Sequence, residues 1–212
     1  MPEIIETLVY HLDELTEAAK DKARDWYREG LIAEEWHEVV SEDFETIAAL
    51  LGLKLKTHAV RLYGGGIRQK PCVFFSGFWS QGDGACFEAR YRHRPGAMKA
   101  IRRHAPLDSE LHRITDALFA VQRRNRFQIT ADITHRGHYY HEYTMDIAVS
   151  RDGEQPATAG DESQIAKAFR DLARWLYRQL EREYEYQTSD EVIDETILAN
   201  EYTFTEAGQR FG

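Results

Sequence analysis

The chain has 212 residues, 42% hydrophobic and 30% charged, with a formal net charge of −9. That length supports a real core, in one large domain or two small ones, and the composition is an ordinary soluble balance. No apolar run approaches the ~20 residues of a membrane span, and the N-terminus "MPEIIETLVY" lacks a signal-peptide layout, so a cytoplasmic location is expected.

Taken in chain order, residues 4–11 form an opening strand. Thr16 caps a helix to Arg28, ended by Gly30, with Ala19, Ala23, Trp26 and Tyr27 as its apolar stripe. A second helix over 34–51 carries Trp36, Val39, Val40, Phe44, Ile47 and Leu51 and stops at Gly52. Leu53 to Tyr63 reads as a strand ended by Gly64-Gly65-Gly66.

A hairpin of 72–79 and 85–92 follows, closed at Trp79 and Ala85. It sets Val73, Phe75, Trp79, Phe87, Ala89 and Tyr91 on an apolar face, with Phe74, Ser76, Phe78, Glu88, Arg90 and Arg92 opposite. In this register Cys72 faces Arg92, six residues from Cys86. That offset is roughly 20 Å, beyond the ~7 Å Cα reach of a disulfide, so two free buried thiols are expected. The absence of any CxxC excludes a zinc site built on sulfur.

Pro95-Gly96 leads to a short helix (97–104), and Asp108 caps a longer one with Leu111, Ile114, Leu118 and Val121 at helical spacing. In a second hairpin (127–149), Phe127, Ile129, Ala131 and Ile133 share a side with Tyr139, His141, Tyr143, Met145, Ile147 and Val149. Both apolar sets are odd-numbered, so the loop must have odd length, and Arg136-Gly137-His138 fits as a three-residue turn. After a loop at 151–160, Asp161 and Gln164 resemble a capping box on a long helix striped by Ile165, Phe169, Leu172, Leu176 and Leu180. A last helix (190–199) precedes an extended tail. The segregated hairpins and helices predict one α+β domain over 1–212. It has a largely antiparallel sheet of two hairpins plus N-terminal strands and about six helices, with a possible helical subregion at 161–200.

The charge is unevenly spread. Residues 1–50 carry 14 acids and 4 bases, 51–130 carry 5 and 15, and 131–212 carry 17 and 8. Either the fold compensates these charges internally or the surface has two faces of opposite sign. The acidic runs, Glu34, Glu35, Glu38, Glu42, Asp43 and Glu45 near one end and Glu181, Glu183, Glu185, Asp190, Glu191, Asp194 and Glu195 near the other, suit a basic partner or a solvated helix face.

Three segments carry candidate chemistry. Ser80-Gln81-Gly82-Asp83-Gly84 is a tight turn, with Trp79, Gln81 and Asp83 placed to touch a partner; it leads into a strand and offers no phosphate cradle. In "THRGHYYHE", His135, His138 and His141 are the densest histidine cluster. The predicted register sets Asp132 across from Glu142 beside Tyr140, which suits a hard cation, acid/base work, or a polar surface neutralised by arginine. The basic stretches 90–104 and 122–126, with Arg90, Arg92, Arg102 and Arg103, suit phosphates, although no established nucleic-acid motif accompanies them.

The strings "FSGFWSQGDGACFE", "HRGHYYHEY" and "ANEYTFTEAGQRF" resemble a poorly characterised family of bacterial and phage proteins whose members often carry the label "antitoxin of toxin–antitoxin stability system". The resemblance spans most of the chain. It implies a phage or prophage origin and a small protein that blocks a host or competing system.

Together these features lead to an expected non-enzymatic binding protein with no cofactor and no metal, acting on a protein partner or a nucleic-acid-binding complex. An anti-defence (anti-CRISPR) inhibitor or an antitoxin is its concrete form. The alternatives are an enzyme built on Asp132, Glu142 and the histidines, and a nucleic-acid binder working through 90–126.

Overall fold

The computed structural model describes residues 6–32, 36–152 and 155–212. The first residues of the predicted opening strand, Glu34 and Glu35, and part of the 151–160 loop lie outside the described residues. Six α-helices form among those described: α1 (Glu17–Ile32), α2 (Glu38–Leu51), α3 (Ala97–His104), α4 (Ser109–Arg124), α5 (Ala159–Gln187) and α6 (Asp190–Ala199). The strands are β1 (Leu53–Leu55), β2 (Thr57–Arg61), β3 (Ile67–Pro71), β4 (Val73–Phe75), β5 (Ala85–Phe87), β6 (Ala89–Arg92), β7 (Ile129–His135), β8 (Met145–Arg151), β9 (Gln155–Pro156), β10 (Thr203–Phe204) and β11 (Arg210–Phe211). Every ladder is antiparallel, and the fold is α+β, as expected.

The chain divides into two compact units, Val39–Leu180 and Met1–Glu38 with Glu181–Gly212. The larger holds a five-stranded sheet of order β1-β6-β7-β8-β9. Burial alternates along β6 and β7, so Ala89, Tyr91, Ile129, Ala131 and Ile133 are buried while Arg90 and Arg92 are exposed. This is the period-2 pattern of a sheet covered on one face. The cover is α4, whose buried Gln122 bonds both the N–H and the carbonyl of Ile129, and α5, whose Phe169 meets Tyr91 edge-on. The predicted stripes of both helices are buried, and Asp108 caps α4 by accepting from Leu111 N–H.

The smaller unit builds its own core from Leu12, Leu15, Ala19, Ala23, Ile193, Ile197 and Phe204, with Tyr10, Tyr27 and Tyr202 packed against it. The final helix forms as predicted. The extended tail folds back as the β10–β11 hairpin, and Tyr10 bridges Phe204. Among the described residues, that bridge is all the strand pairing that residues 6–11 make.

Several expectations are corrected. Gly30 lies inside α1 rather than ending it, because one glycine costs a helix only about 1 kcal/mol. The strand expected over 53–63 is interrupted at Lys56, and its glycine run is the turn of the β2–β3 hairpin. Thr158 caps α5, its hydroxyl accepting from Asp161 N–H and donating to the Asp161 carboxylate; Asp161 stands inside the first turn.

Both hairpin registers also differ, each by an even number of residues. Val73 pairs with Phe87, a slip of four from the expected pairing of Trp79 with Ala85. Ile133 pairs with Ile147 instead of His141, a slip of six, and 136–144 replaces the three-residue turn. Because each slip is even, the buried positions of β6 and β7 stay odd-numbered, while β5 is buried throughout, Cys86 included. Trp79, Phe127, Tyr139 and Tyr143, all expected on the buried face, leave it and are exposed.

Candidate interaction surfaces

The even-numbered face of the sheet is open. At its β1 edge is a junction where three ladders meet: β1–β6, β2–β3 and β4–β5. Lys56 N–H donates to Glu88 O at 2.9 Å, Glu88 N–H to Cys72 O at 2.8 Å, and Cys72 N–H to Lys56 O at 2.8 Å. These three bonds close a ring. Each segment thereby satisfies the donor and acceptor it exposes on leaving one ladder for the next.

The side chains of the ring sit among other polar groups. Lys56 Nζ donates to Asp132 Oδ1 at 2.6 Å, and Arg90 Nε lies 3.4 Å from the other carboxylate oxygen. Glu88 Oε1 accepts from His135 N–H, and Cys72 Sγ lies 3.7 Å from His58 Nδ1. Beside them Phe74 stacks between His58 and Tyr140, with ring centroids 5.8 and 5.4 Å away, and His135 leans on both Phe74 and Tyr140. Burial, with Glu88 adding and Lys56 opposing, pushes the Cys72 thiol above its ordinary value; burial pushes Cys86 up to about 11. Both are free cysteines held as neutral thiols, the less nucleophilic form. Cys72 lies across from Glu88, so its offset from Cys86 is two residues, not six.

The two connections at the end of this face lie against each other. Gly84 packs so closely on His141 that an added Cβ would stand 2.6 Å from His141 Cβ, and Gly82, at φ 98°, lies under the Tyr139 ring. Asp83 turns inward and accepts from the N–H groups of Trp79 and Ser80 at 3.1 and 2.7 Å, as a turn-forming aspartate does. The segment is thus a turn, longer than the expected five residues, with Trp79 and Gln81 exposed.

Asp132 and Glu142 do not face each other. Asp132 pairs across the sheet with Ala148, whereas Glu142 bonds Arg174 at 3.0 Å. His135 Nε2 is 2.9 Å from Tyr139 O, and His141 Nδ1 accepts from Tyr143 N–H. Among the described residues, no three His, Cys, Asp or Glu side chains gather as metal ligands.

Much of the basic central segment is balanced within its own unit. Arg102 contacts both oxygens of Asp116 at 2.8 Å, Arg92 reaches Asp152, Arg113 reaches Asp171, and Arg124 bonds Asp161 at 2.6 Å. Arg103 is exposed on α3. Asp161 and Asp171 are buried, which alone would raise their pKa. Hydrogen bonds outweigh that effect, from Asn125, Thr158 and Arg124 on Asp161 and from Lys167, Arg113 and Arg174 on Asp171, and both carboxyls sit below the usual range.

The smaller unit has the opposite character. Its sequence holds 20 acidic and 6 basic residues, against 16 and 21 in the larger unit. Of the predicted acidic runs, the second and Glu38 fall here, while Glu42, Asp43 and Glu45 belong to the larger unit. Arg24 bonds Asp194 through two nitrogens and Arg28 meets Asp25 and Asp190, which joins α1 to α6. An open cleft of about 430 Å³ is lined by Trp26, Tyr27, Glu29 and Tyr202 with Gly30 and Leu31. The Arg210 guanidinium lies 4.7 Å from the Tyr202 ring and 5.6 Å from that of Trp26. These rings therefore already hold one cation by their faces.

Residues 36–190 match a family model described as a domain of unknown function, DUF8835. The chain belongs to that family. No curated protein and no solved structure matches it. The DUF8835 span takes in the whole sheet unit, with the junction and both aromatic connections, while α1, nearly all of α6 and the tail hairpin fall outside it. Among the described residues no helix is long and apolar enough to cross a membrane.

Sequence reasoning had placed Arg90, Arg92 and Asp132 on the open face, and they are there. It missed Lys56, His58, Cys72 and the Glu88–His135 contact. The available signal was the even parity running from Lys54 through Lys56 to His58.

Proposed function

We propose that this DUF8835 protein is a non-catalytic binding protein that occupies a basic macromolecular partner, in the manner of an anti-defence inhibitor or an antitoxin. The observation that carries this reading is the smaller unit: 14 more acidic than basic residues, and a cleft whose aromatic rings already stack on a guanidinium. Glu29 on the cleft wall adds a charge for an incoming Arg or Lys. The open sheet face supports the same reading, since Asp132 is held in ion pairs, Glu88 accepts from a backbone N–H and the Cys72 thiol is pushed towards its neutral form, an arrangement suited to recognition.

Titrating the full chain with a fluorescent arginine-rich peptide tests it. Binding is expected at low salt and should weaken several-fold as ionic strength approaches the physiological, where the screening length falls to about 8 Å. Glu29→Lys, a surface change, should weaken it at least about tenfold, or 1.4 kcal/mol. Binding indifferent to both salt and Glu29→Lys would refute the assignment.

A further inference from the structure

Beyond the cationic partner, the β2–β3 hairpin has a chemistry of its own. Among the described residues its strands pair with no others, and every residue from Thr57 to Gln69 except Val60 is exposed. No Asp or Glu occurs between Glu45 and Asp83, whereas Lys54, Lys56, Arg61, Arg68 and Lys70 do. The register sets Val60 opposite Arg68 and His58 opposite Lys70 on one side of the ribbon, with Arg61 opposite Ile67 on the other. The tip is apolar: Leu62, Tyr63 and Ile67 are 49%, 111% and 68% exposed, around a turn closed by Leu62 N–H to Gly66 O at 2.9 Å. The base is the ring of three backbone bonds at Lys56, Cys72 and Glu88, which ties the ribbon to the sheet.

Burial does not account for an aromatic tip on an acid-free basic ribbon, since Tyr63 and Ile67 stand largely exposed. Polyanion binding accounts for both features. The DNA major groove is about 12 Å wide and admits a two-stranded ribbon. Basic side chains on the ribbon's two sides reach phosphates on the two groove walls, and apolar tip residues can make apolar contacts with base edges, such as the thymine methyl, on the groove floor. An acidic protein would satisfy the charge but offers no groove for the ribbon and no stacked bases for Tyr63. We infer that the β2–β3 hairpin is an arm that enters a groove of double-stranded DNA, with Arg61 and Arg68 on the phosphates and Tyr63 at the bases.

The test is anisotropy of the full chain with a labelled duplex of about 20 base pairs, between about 50 and 200 mM salt. Affinity is expected to fall steeply with salt. R61S/R68S should flatten the log–log slope by about 2, since each phosphate contact contributes about 0.9, and weaken low-salt binding at least about tenfold. Tyr63→Ser should weaken binding with the slope unchanged. All three positions are exposed, so an unaltered melting temperature checks the fold. No binding at low salt, a slope unmoved by R61S/R68S, or equal affinity for a single strand would overturn the inference. So would displacement by poly-glutamate as readily as by duplex, which would mark an arm for acidic proteins. The arm does not draw on the acidic cleft: R61S/R68S should leave arginine-peptide binding intact, so the two readings fail separately.

Discussion

Asp171 shows how a single residue carries the charge balance of the sheet unit. Its carboxylate is buried on α5 against Lys167, Arg113 and Arg174, and its pKa is depressed despite that burial. A group with a depressed folded pKa contributes stability above its unfolded value of about 3.9, and loses it as pH falls through the folded value. Asp171→Asn should therefore cost about 3 kcal/mol at neutral pH, as removal of one partner from a buried ion cluster does. In urea melts the gap to the parent should start to close near pH 4 and vanish at lower pH. Gly84 makes a steric counterpart. The added methyl of Gly84→Ala would meet His141 Cβ and Cα at 2.6 and 2.9 Å, backbone-anchored atoms that cannot swing aside. A loss of about 1–3 kcal/mol is expected, with a change in the environment of Tyr139 and Tyr140 visible by NMR.

At the scale of elements, the α4 N-terminus couples two helices. Asp108 caps it with one oxygen and accepts from Trp175 Nε1 of α5 at 2.7 Å with the other. Asp108→Ala should thus cost more than the ~1 kcal/mol of an ordinary cap, about 2–3 kcal/mol, because a largely buried indole N–H loses its partner. Thermal melts measure the loss, and the Trp175 fluorescence should shift. Helices were legible because their stripes are local: Ile165 to Leu180 repeats at helical spacing whatever lies opposite. Strand faces were legible for a similar reason, since parity survives any even slip. Register was not. "YYHEY" has the β-forming composition of a strand, yet it forms the connection against Gly84, a contact between segments far apart in sequence. The junction was hidden in the same way, since Lys56, Cys72 and Glu88 come together through backbone bonds that no side-chain pattern announces.

Over the whole molecule, the uneven charge resolves into two units of opposite sign. The sheet unit neutralises many of its arginines internally, as the first alternative expects, and the acidic unit carries a large excess of acidic over basic residues. Opposite signs on one chain favour head-to-tail attraction between molecules at low ionic strength. Sedimentation velocity should show weak self-association at about 10 mM salt that disappears near 0.5 M, where the screening length is only a few ångströms. A single species with one sedimentation coefficient throughout would argue that the acidic excess is locally neutralised.

The cyclic junction also sets how the hairpin beyond it can grow. With its root pinned at Lys56 and Cys72, adding one residue to each strand would lengthen the ribbon by about 3.4 Å but turn the tip over, exchanging the sides of Tyr63 and its neighbours. Adding two to each would extend its span by about 7 Å and return the tip to its present orientation. Lengthening in such paired steps changes how far the ribbon reaches without rebuilding the sheet that carries it.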